Sequence, residues 1–351
     1  MRQVVINGDY LAFTRMGGVG RYASELLAEL DKIVDESDDV IILTPIYTVN
    51  VPHLNRIKIV KYGDEAILKW KHSSLPTYIK SHKALLVDLT QAFPLQVKGI
   101  TCVHDCIPEL VDSAYIGFFN KFIRKPIKLM QRRWVVRRAK ALITVSETSK
   151  KDIARLYHKN LNAITVVPNA WQHIIRFHSD DSILNKYNLK EKSYIFTLGS
   201  RVSHKNIRWI IVNAIKNKED LFVVSGENSY DKNFENEVFP GNIIFTGYIT
   251  DEEIKSLMIH CKAFVLPSLY EGFGIPPLEA LALGCKIIVS NTSCLPEIYE
   301  DSAYYIKPDD YMGVNLDNLL KHPVGDANHA LNKYSWEKSA NILYDLIKKN
   351  I

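Results

Sequence analysis

Ser268-Leu-Tyr-Glu-Gly-Phe-Gly-Ile-Pro-Pro-Leu-Glu-Ala-Leu-Ala-Leu-Gly284 organises the reading of this 351-residue chain. Lys262-Ala-Phe-Val-Leu-Pro267, just before it, reads as a buried strand. Gly272 and Gly274 let the backbone curl tightly and expose its N–H groups. Pro276 or Pro277 suits a first helical position, where no N–H is needed, and Gly284 suits a helix stop. Strand, glycine loop and helix N-terminus together favour an anion such as phosphate. Two carboxylates, Glu271 and Glu279, flank that loop with seven residues between them. Carboxylates do not suit a bare phosphate, but they accept strongly from sugar hydroxyls. A phosphate beside hydroxyl-bearing groups is a sugar nucleotide. The bland alternative is an amphipathic helix with one surface glutamate and one strand-ending glutamate.

Ser268–Gly284 resembles the Glu-x7-Glu donor motif of glycosyltransferase family 4, retaining enzymes of the GT-B fold. The resemblance covers nearly the whole chain and is most specific in residues 194–306. It implies that Glu271 contacts donor-sugar hydroxyls and Glu279 the nucleotide ribose. Gly272 and the backbone N–H groups of Phe273, Gly274 and Ile275 would face the diphosphate and sugar.

Hydrophobic residues make up 47% of the chain and charged residues 24%, as in a globular protein of two ordinary domains. No apolar run reaches the ~18–20 residues of a membrane span. The first residues run directly into a strand, so no secretory leader is expected. Five scattered cysteines lack metal-ligand spacing, and their odd number argues against a disulfide framework. A reducing cytoplasm is the expected location.

The net charge of +5 is unevenly spread. Residues 1–172 hold 25 Lys and Arg against 16 Asp and Glu, while the remainder is slightly acidic. Lys121, Arg124, Lys125, Lys128, Arg132, Arg133, Arg137, Arg138 and Lys140 fall in a window with no acidic residue, interleaved with Phe118, Phe119, Phe122, Ile127, Met130 and Trp134. A basic, aromatic-bearing helix over 118–140 reads as a peripheral contact with anionic membrane, broken or restarted at Pro126. The alternative is a solvated helix face whose aromatics pack on the core. No nucleic-acid recognition motif accompanies the charge, so nucleic acid is not expected as a partner.

Apolar strands alternate with amphipathic helices along the chain, which predicts parallel sheets covered by helices. Ser146 reads as the N-cap of a helix ending near Tyr157. The expected architecture is α/β, GT-B, with two Rossmann-like doubly wound domains facing a central cleft. Residues 1–170 form the acceptor-side domain, 171–192 a hinge, 193–334 the nucleotide-sugar domain, and 335–351 a helix that the resemblance returns to the first domain.

Three further segments leave expected strand ends, where open parallel sheets bind ligands. Gly199-Ser-Arg201-Val-Ser-His-Lys205-Asn206 resembles the family's cation pair, and Arg201 and Lys205 would steady a departing diphosphate. Gly17-Gly18-Val-Gly20-Arg-Tyr22 resembles the family's glycine loop over the donor phosphates. It also satisfies a dinucleotide fingerprint, but about ten residues separate it from the first strand, where that motif allows none. Val103-His104-Asp105 resembles the family's His-Asp segment. His104, by side chain or carbonyl, would steady an oxocarbenium-like transition state, or it is a structural histidine. Asp105 is a base, a sugar ligand or a cap. Tyr248 lies against a nucleobase or in the core; Gly226, Glu227 and Gly247 share its strand-end position.

The implied activity is retaining transfer of a hexose, first mannose from GDP-mannose, to a lipid-linked or lipopolysaccharide/O-antigen-type glycan at the inner face of a bacterial plasma membrane. No Asp-x-Asp or metal-ligand cluster is present in the sequence, so no cofactor and no metal are expected. UDP-hexose transfer is the alternative within the fold; an epimerase or a nicotinamide-binding dehydrogenase are the rivals outside it.

Overall fold

Thirteen short, mostly buried strands and the helices between them define two parallel sheets in the computed structural model, which describes residues 2–14, 17–49, 51–111, 120–199, 203–226 and 239–351. The first sheet holds β1 (Val4–Asn7), β2 (Val40–Thr44), β3 (Lys58–Lys61), β4 (Leu85–Asp88), β5 (Gly99–Cys102), β6 (Ala141–Thr144) and β7 (Ile164–Val166) in the order β3-β2-β1-β4-β5-β6-β7. The second holds β8 (Tyr194–Leu198), β9 (Leu221–Ser225), β10 (Ile243–Gly247), β11 (Ala263–Leu266), β12 (Ile287–Ser290) and β13 (Tyr304–Ile306) in the order β10-β9-β8-β11-β12-β13. Every pairing between these strands is parallel. Val-, Ile- and Leu-rich segments such as Val40–Thr44 and Ile287–Ser290 are buried along their whole length, as strands covered on both faces must be.

The main helices are α1 (Gly18–Ile33), α2 (Ser74–Ser81), α3 (Lys125–Arg138), α4 (Glu147–Tyr157), α5 (Ile207–Lys216), α6 (Asp251–His260), α7 (Ile275–Ala282) and α8 (Trp336–Lys348). Their ends follow the local chemistry. Ser146 caps α4 by accepting from the Ser149 N–H, a bond of about 1 kcal/mol. Thr250 and Glu253 form a reciprocal capping box on α6. Pro126 stands in the first turn of α3, which restarts there after a π-helical turn, Asn120–Arg124. None of the described helices is long and apolar enough to cross a membrane.

The chain divides into two units. The first is built from the described residues up to Glu109, those from 120 to Asn169, and Trp336–Ile351. The second takes Leu110, Val111 and Ala170–Ser335, including two short helices, His173–Arg176 and Ser182–Lys186, in the stretch 171–192. Within the first unit α8 packs along α1. Trp336 is buried with its ring 6.2 Å from that of Tyr22, and Ser339 Oγ donates to the Pro168 carbonyl at 2.8 Å. Tyr344 donates to Asp38 Oδ2 at 2.5 Å, and Lys348 Nζ lies 2.9 Å from Asp38 Oδ1.

The sequence pattern counted Arg132 among the cations of an exposed basic face; the structure corrects this. Arg132 is 4% exposed, its Nε lies 3.4 Å from Glu109 Oε1, and its guanidinium donates to the Asp105 carbonyl. A charge window along the sequence cannot see that pairing, because Glu109 precedes the window. Phe118 and Phe119 lie outside the described residues. Phe122, Ile123, Ile127, Met130 and Trp134 are all exposed. The last four recur at helical spacing, so they form a stripe on the surface rather than packing inward.

Candidate functional site

The winding of the second sheet reverses between β8 and β11, and open α/β sheets bind ligands beyond the strand ends at such a reversal. The loops leaving those two strands are tied to each other. Asn206 is 4% exposed and donates through Nδ2 to the Pro267 carbonyl at 3.0 Å and to the Pro308 carbonyl at 2.7 Å. The Leu269 N–H donates to the His204 carbonyl at 2.7 Å.

This tether places Lys205 against Glu271, Nζ to Oε1 at 2.6 Å. Ser268 Oγ donates to the same oxygen, also at 2.6 Å. Glu271 is 7% exposed. Burial alone would push its carboxyl up, but the Lys205 ammonium and the hydrogen bonds from Lys205 and Ser268 outweigh it and hold the group below the ordinary glutamate range. The backbone is fixed as well: Ser293 Oγ accepts from the Glu271 N–H at 3.0 Å.

Gly272, Phe273 and Gly274 are buried and lead into α7, whose first residue is Ile275. Gly274 has φ +82, and a Cβ there would lie 2.8 Å from Leu295 Cδ2, so both conformation and space call for glycine. Its carbonyl accepts from the Tyr299 hydroxyl. Phe273 packs edge-on to Tyr334 at 5.1 Å. Glu279, one helical turn into α7, meets a residue the sequence reading passed over. His173 is fully buried, and its Nε2 lies 2.5 Å from Glu279 Oε1. Nothing in the spacing of residues 171–192 marks His173; only the fold brings it to α7.

Arg201 and Glu227 lie outside the described residues. Tyr248 follows β10 and is 60% exposed, so it is no core residue. The Gly226 N–H donates to the Gly247 carbonyl at 2.8 Å, joining the loops after β9 and β10. Among the described residues no three His, Cys, Asp or Glu side chains gather as a metal-ligand set.

The remaining sequence candidates belong to the first unit. His104 is 6% exposed; its Nε2–H donates to the Leu89 carbonyl at 2.8 Å, and Tyr22 packs edge-on to its ring at 4.8 Å. Desolvation holds its pKa below the usual histidine value, so the imidazole is neutral at pH 7. Its own carbonyl accepts from Ser149 Oγ at 3.3 Å. Asp105 Oδ1 caps the next turn by accepting from the Ile107 N–H at 2.9 Å. Gly17 is the N-cap of α1, and Gly18 and Gly20 lie in its first turn. A 3-10 turn, Asp9–Ala12, separates β1 from α1, so the glycines do not form the immediate strand-to-helix turn of a dinucleotide site.

Two parallel α/β sheets, each reversing its winding once, with a glutamate–lysine pair at the second reversal, define a GT-B fold. The profile of the glycosyltransferase family 4 domain matches residues 16–172, and that of the glycosyl transferases group 1 domain matches residues 179–335. The two halves of the chain thus carry the two domains of these glycosyltransferases. It is 29% identical over 239 residues to the O-antigen chain mannosyltransferase RfbU of Salmonella typhimurium, covering 65% of this chain and 62% of that protein. It is 30% identical over 230 residues to O-antigen chain mannosyltransferase B of Escherichia coli, covering 61% of this chain and 58% of that one. The matched stretch therefore spans less than two thirds of either relative's length. Among solved structures, a sucrose-phosphate synthase from Thermosynechococcus elongatus superposes with a TM-score of 0.75 at 15% identity, covering 99% of both chains.

Proposed function

We propose that this protein is a retaining, metal-independent hexosyltransferase. It would move mannose from GDP-mannose to a hydroxyl of a lipid-linked or lipopolysaccharide-type glycan. The observation that carries the reading is the Lys205–Glu271 pair at the winding reversal of the second unit, beside the glycine loop that opens α7. A cation suited to a diphosphate, a carboxylate suited to sugar hydroxyls and a helix N-terminus suited to an anion there share one short segment. The O-antigen mannosyltransferases among the relatives favour mannose and a surface-glycan acceptor.

In this mechanism Lys205, with Arg201, neutralises the diphosphate, and the N–H groups of Phe273, Gly274 and Ile275 face it. Glu271 accepts from hydroxyls of the donor sugar and Glu279 from the ribose, with His173 holding Glu279 in place. The bond from the anomeric carbon to the phosphate oxygen breaks as the acceptor oxygen bonds to the same face of that carbon. The acceptor proton passes to the departing phosphate. A covalent sugar adduct on any side chain would overturn this route.

Peripheral attachment to the cytoplasmic face of an anionic membrane is part of the same proposal. Its support is α3 and the turn before it, which expose Phe122, Ile123, Ile127, Met130 and Trp134 among Lys128, Arg133, Arg137 and Arg138.

The decisive experiment measures nucleoside diphosphate release from GDP- and UDP-sugars, with and without membrane glycolipid. Acceptor-dependent release of GDP from GDP-mannose is expected. Release from UDP-hexoses alone would move the assignment to that donor class, and turnover without any acceptor would point to an epimerase.

A further inference from the structure

Glu271 is held by a third loop as well, the one leaving β12, the strand paired with β11. Thr292, Ser293 and Cys294 each turn a side chain onto the backbone of residues 268–271. Ser293 Oγ accepts from the Glu271 N–H at 3.0 Å, and the fully buried Cys294 Sγ donates to the Glu271 carbonyl at 3.3 Å. Thr292 Oγ1 lies 3.4 Å from the Ser268 and Leu269 carbonyls. The short helix that follows, Leu295–Tyr299, seats Gly274 through Leu295 and the Tyr299 hydroxyl. Both backbone polar groups of Glu271 are thus engaged by consecutive residues, while Lys205 and Ser268 engage Oε1 of its side chain.

Ser293 is the unusual member of this set. Its φ is +51, in the left-handed region, where glycine and asparagine are the usual occupants and serine is strained. Such strain persists where the surrounding structure holds it, and it collects at functional sites. Glycine would relieve the strain but would also remove the acceptor. The Glu271 N–H would then lose its partner in a residue that is 7% exposed. The bond reaches a residue 22 positions earlier in the chain, so it does not serve the turn in which Ser293 itself lies.

We propose that Ser293 is a positioning residue for the donor sugar: its hydroxyl fixes the backbone of Glu271, and with it the aim of the carboxylate, in spite of the local strain. Naming the sugar rests on the transferase reading; the hold on the Glu271 backbone does not.

Three variants of the full chain separate strain from placement. Ser293→Gly relieves the backbone and removes the acceptor. Ser293→Ala keeps the strain and removes the acceptor. Ser293→Thr keeps the acceptor but puts a β-branched residue where one is disfavoured. Amide hydrogen exchange at Glu271 should quicken by about tenfold in the Gly and Ala variants and stay near the wild-type rate in the Thr variant. Titration with GDP-mannose and UDP-glucose, and with GDP and UDP in parallel, should show sugar-nucleotide affinity about tenfold lower in the Gly and Ala variants and retained in the Thr variant. Affinity for the nucleoside diphosphate alone should not move, because it carries no sugar for Glu271 to meet. Unfolding midpoints should follow a different order, with Ser293→Gly above Ser293→Ala.

A role in folding alone would make sugar-nucleotide affinity track the midpoint. That outcome, an equal loss of affinity for the nucleoside diphosphate, or unchanged exchange at Glu271 in the Gly and Ala variants overturns the proposal. If Ser293→Thr fails to fold, the Gly and Ala variants decide. A wild-type protein that binds none of the four nucleotides counts against the transferase reading, and exchange at Glu271 then decides whether Ser293 holds that backbone.

Discussion

Lys205 reaches Glu271 from a different strand end, Nζ to Oε1 at 2.6 Å, so one ion pair joins the loops after β8 and β11. The carboxylate is the more deeply buried partner, with its side chain 10% exposed against 21% for the lysine. Lys205→Met should therefore cost more stability than Glu271→Gln, about 3 kcal/mol against about 1 kcal/mol, because it strands a buried charge. The double variant should recover part of the larger loss. Urea unfolding of the three variants at pH 7 measures this. An equal loss in both single variants would remove the pair from the architecture of the loop.

His173 and Glu279 make a second prediction. His173→Phe keeps an aromatic ring in a fully buried position but removes the donor to Glu279. If Glu279 holds the ribose, the donor KM should rise about tenfold with little change in kcat, as expected when uniform binding is lost. A fall in kcat at unchanged KM would assign His173 to the chemical step instead.

Gly274→Ala tests the turn into α7. With φ at +82 and Leu295 Cδ2 2.8 Å from the added Cβ, strain and clash act together. A loss of about 2 kcal/mol is expected in thermal or urea unfolding, and nucleotide affinity should fall with it. An unchanged midpoint would mean that the loop can relax at no cost.

His104 sets a pH dependence. Its folded-state pKa is depressed by desolvation, so folding favours the neutral ring. Its contribution is fully present above the unfolded value of about 6.5 and is lost progressively as pH falls below that value toward the lower folded one. Unfolding midpoints should therefore drop as pH falls below about 6.5, and drop less in His104→Asn. NMR of the ring should show the neutral Nε2–H form still in the majority below about pH 6.5, the ordinary value for histidine. A ring titrating at the ordinary position would contradict the burial argument.

Attachment to membrane is tested by sedimentation with vesicles containing phosphatidylserine. Trp134→Ser and a Lys128→Gln/Arg133→Gln pair should each reduce binding, the charge pair by about 1 kcal/mol per cation and in a salt-dependent way. Binding that ignores both changes would leave α3 as an ordinary solvated helix.

The strand and helix order was legible because buried parallel strands are short apolar runs and the intervening helices carry clear apolar faces. The Ser146 cap and the stretch from β11 into α7 follow from side-chain chemistry within a few residues. Partners distant in sequence were not legible. His173 lies 106 residues from Glu279 in the chain, and β2 and β3 stand between Asp9 and Lys71 in sequence. Arg132 was misplaced because a run of like charges gives no hint of which member turns inward.

The α8 clasp has a consequence for biosynthesis. Trp336, Ser339, Tyr344 and Lys348 complete a unit whose other parts run no further than Asn169, with nearly all of the second unit translated in between. The second unit can close while still tethered to the ribosome, whereas the first must wait, with one flank of α1 bare, until the final helix emerges. A nascent chain stalled before Trp336 would thus hold its later half finished and its earlier half open along α1.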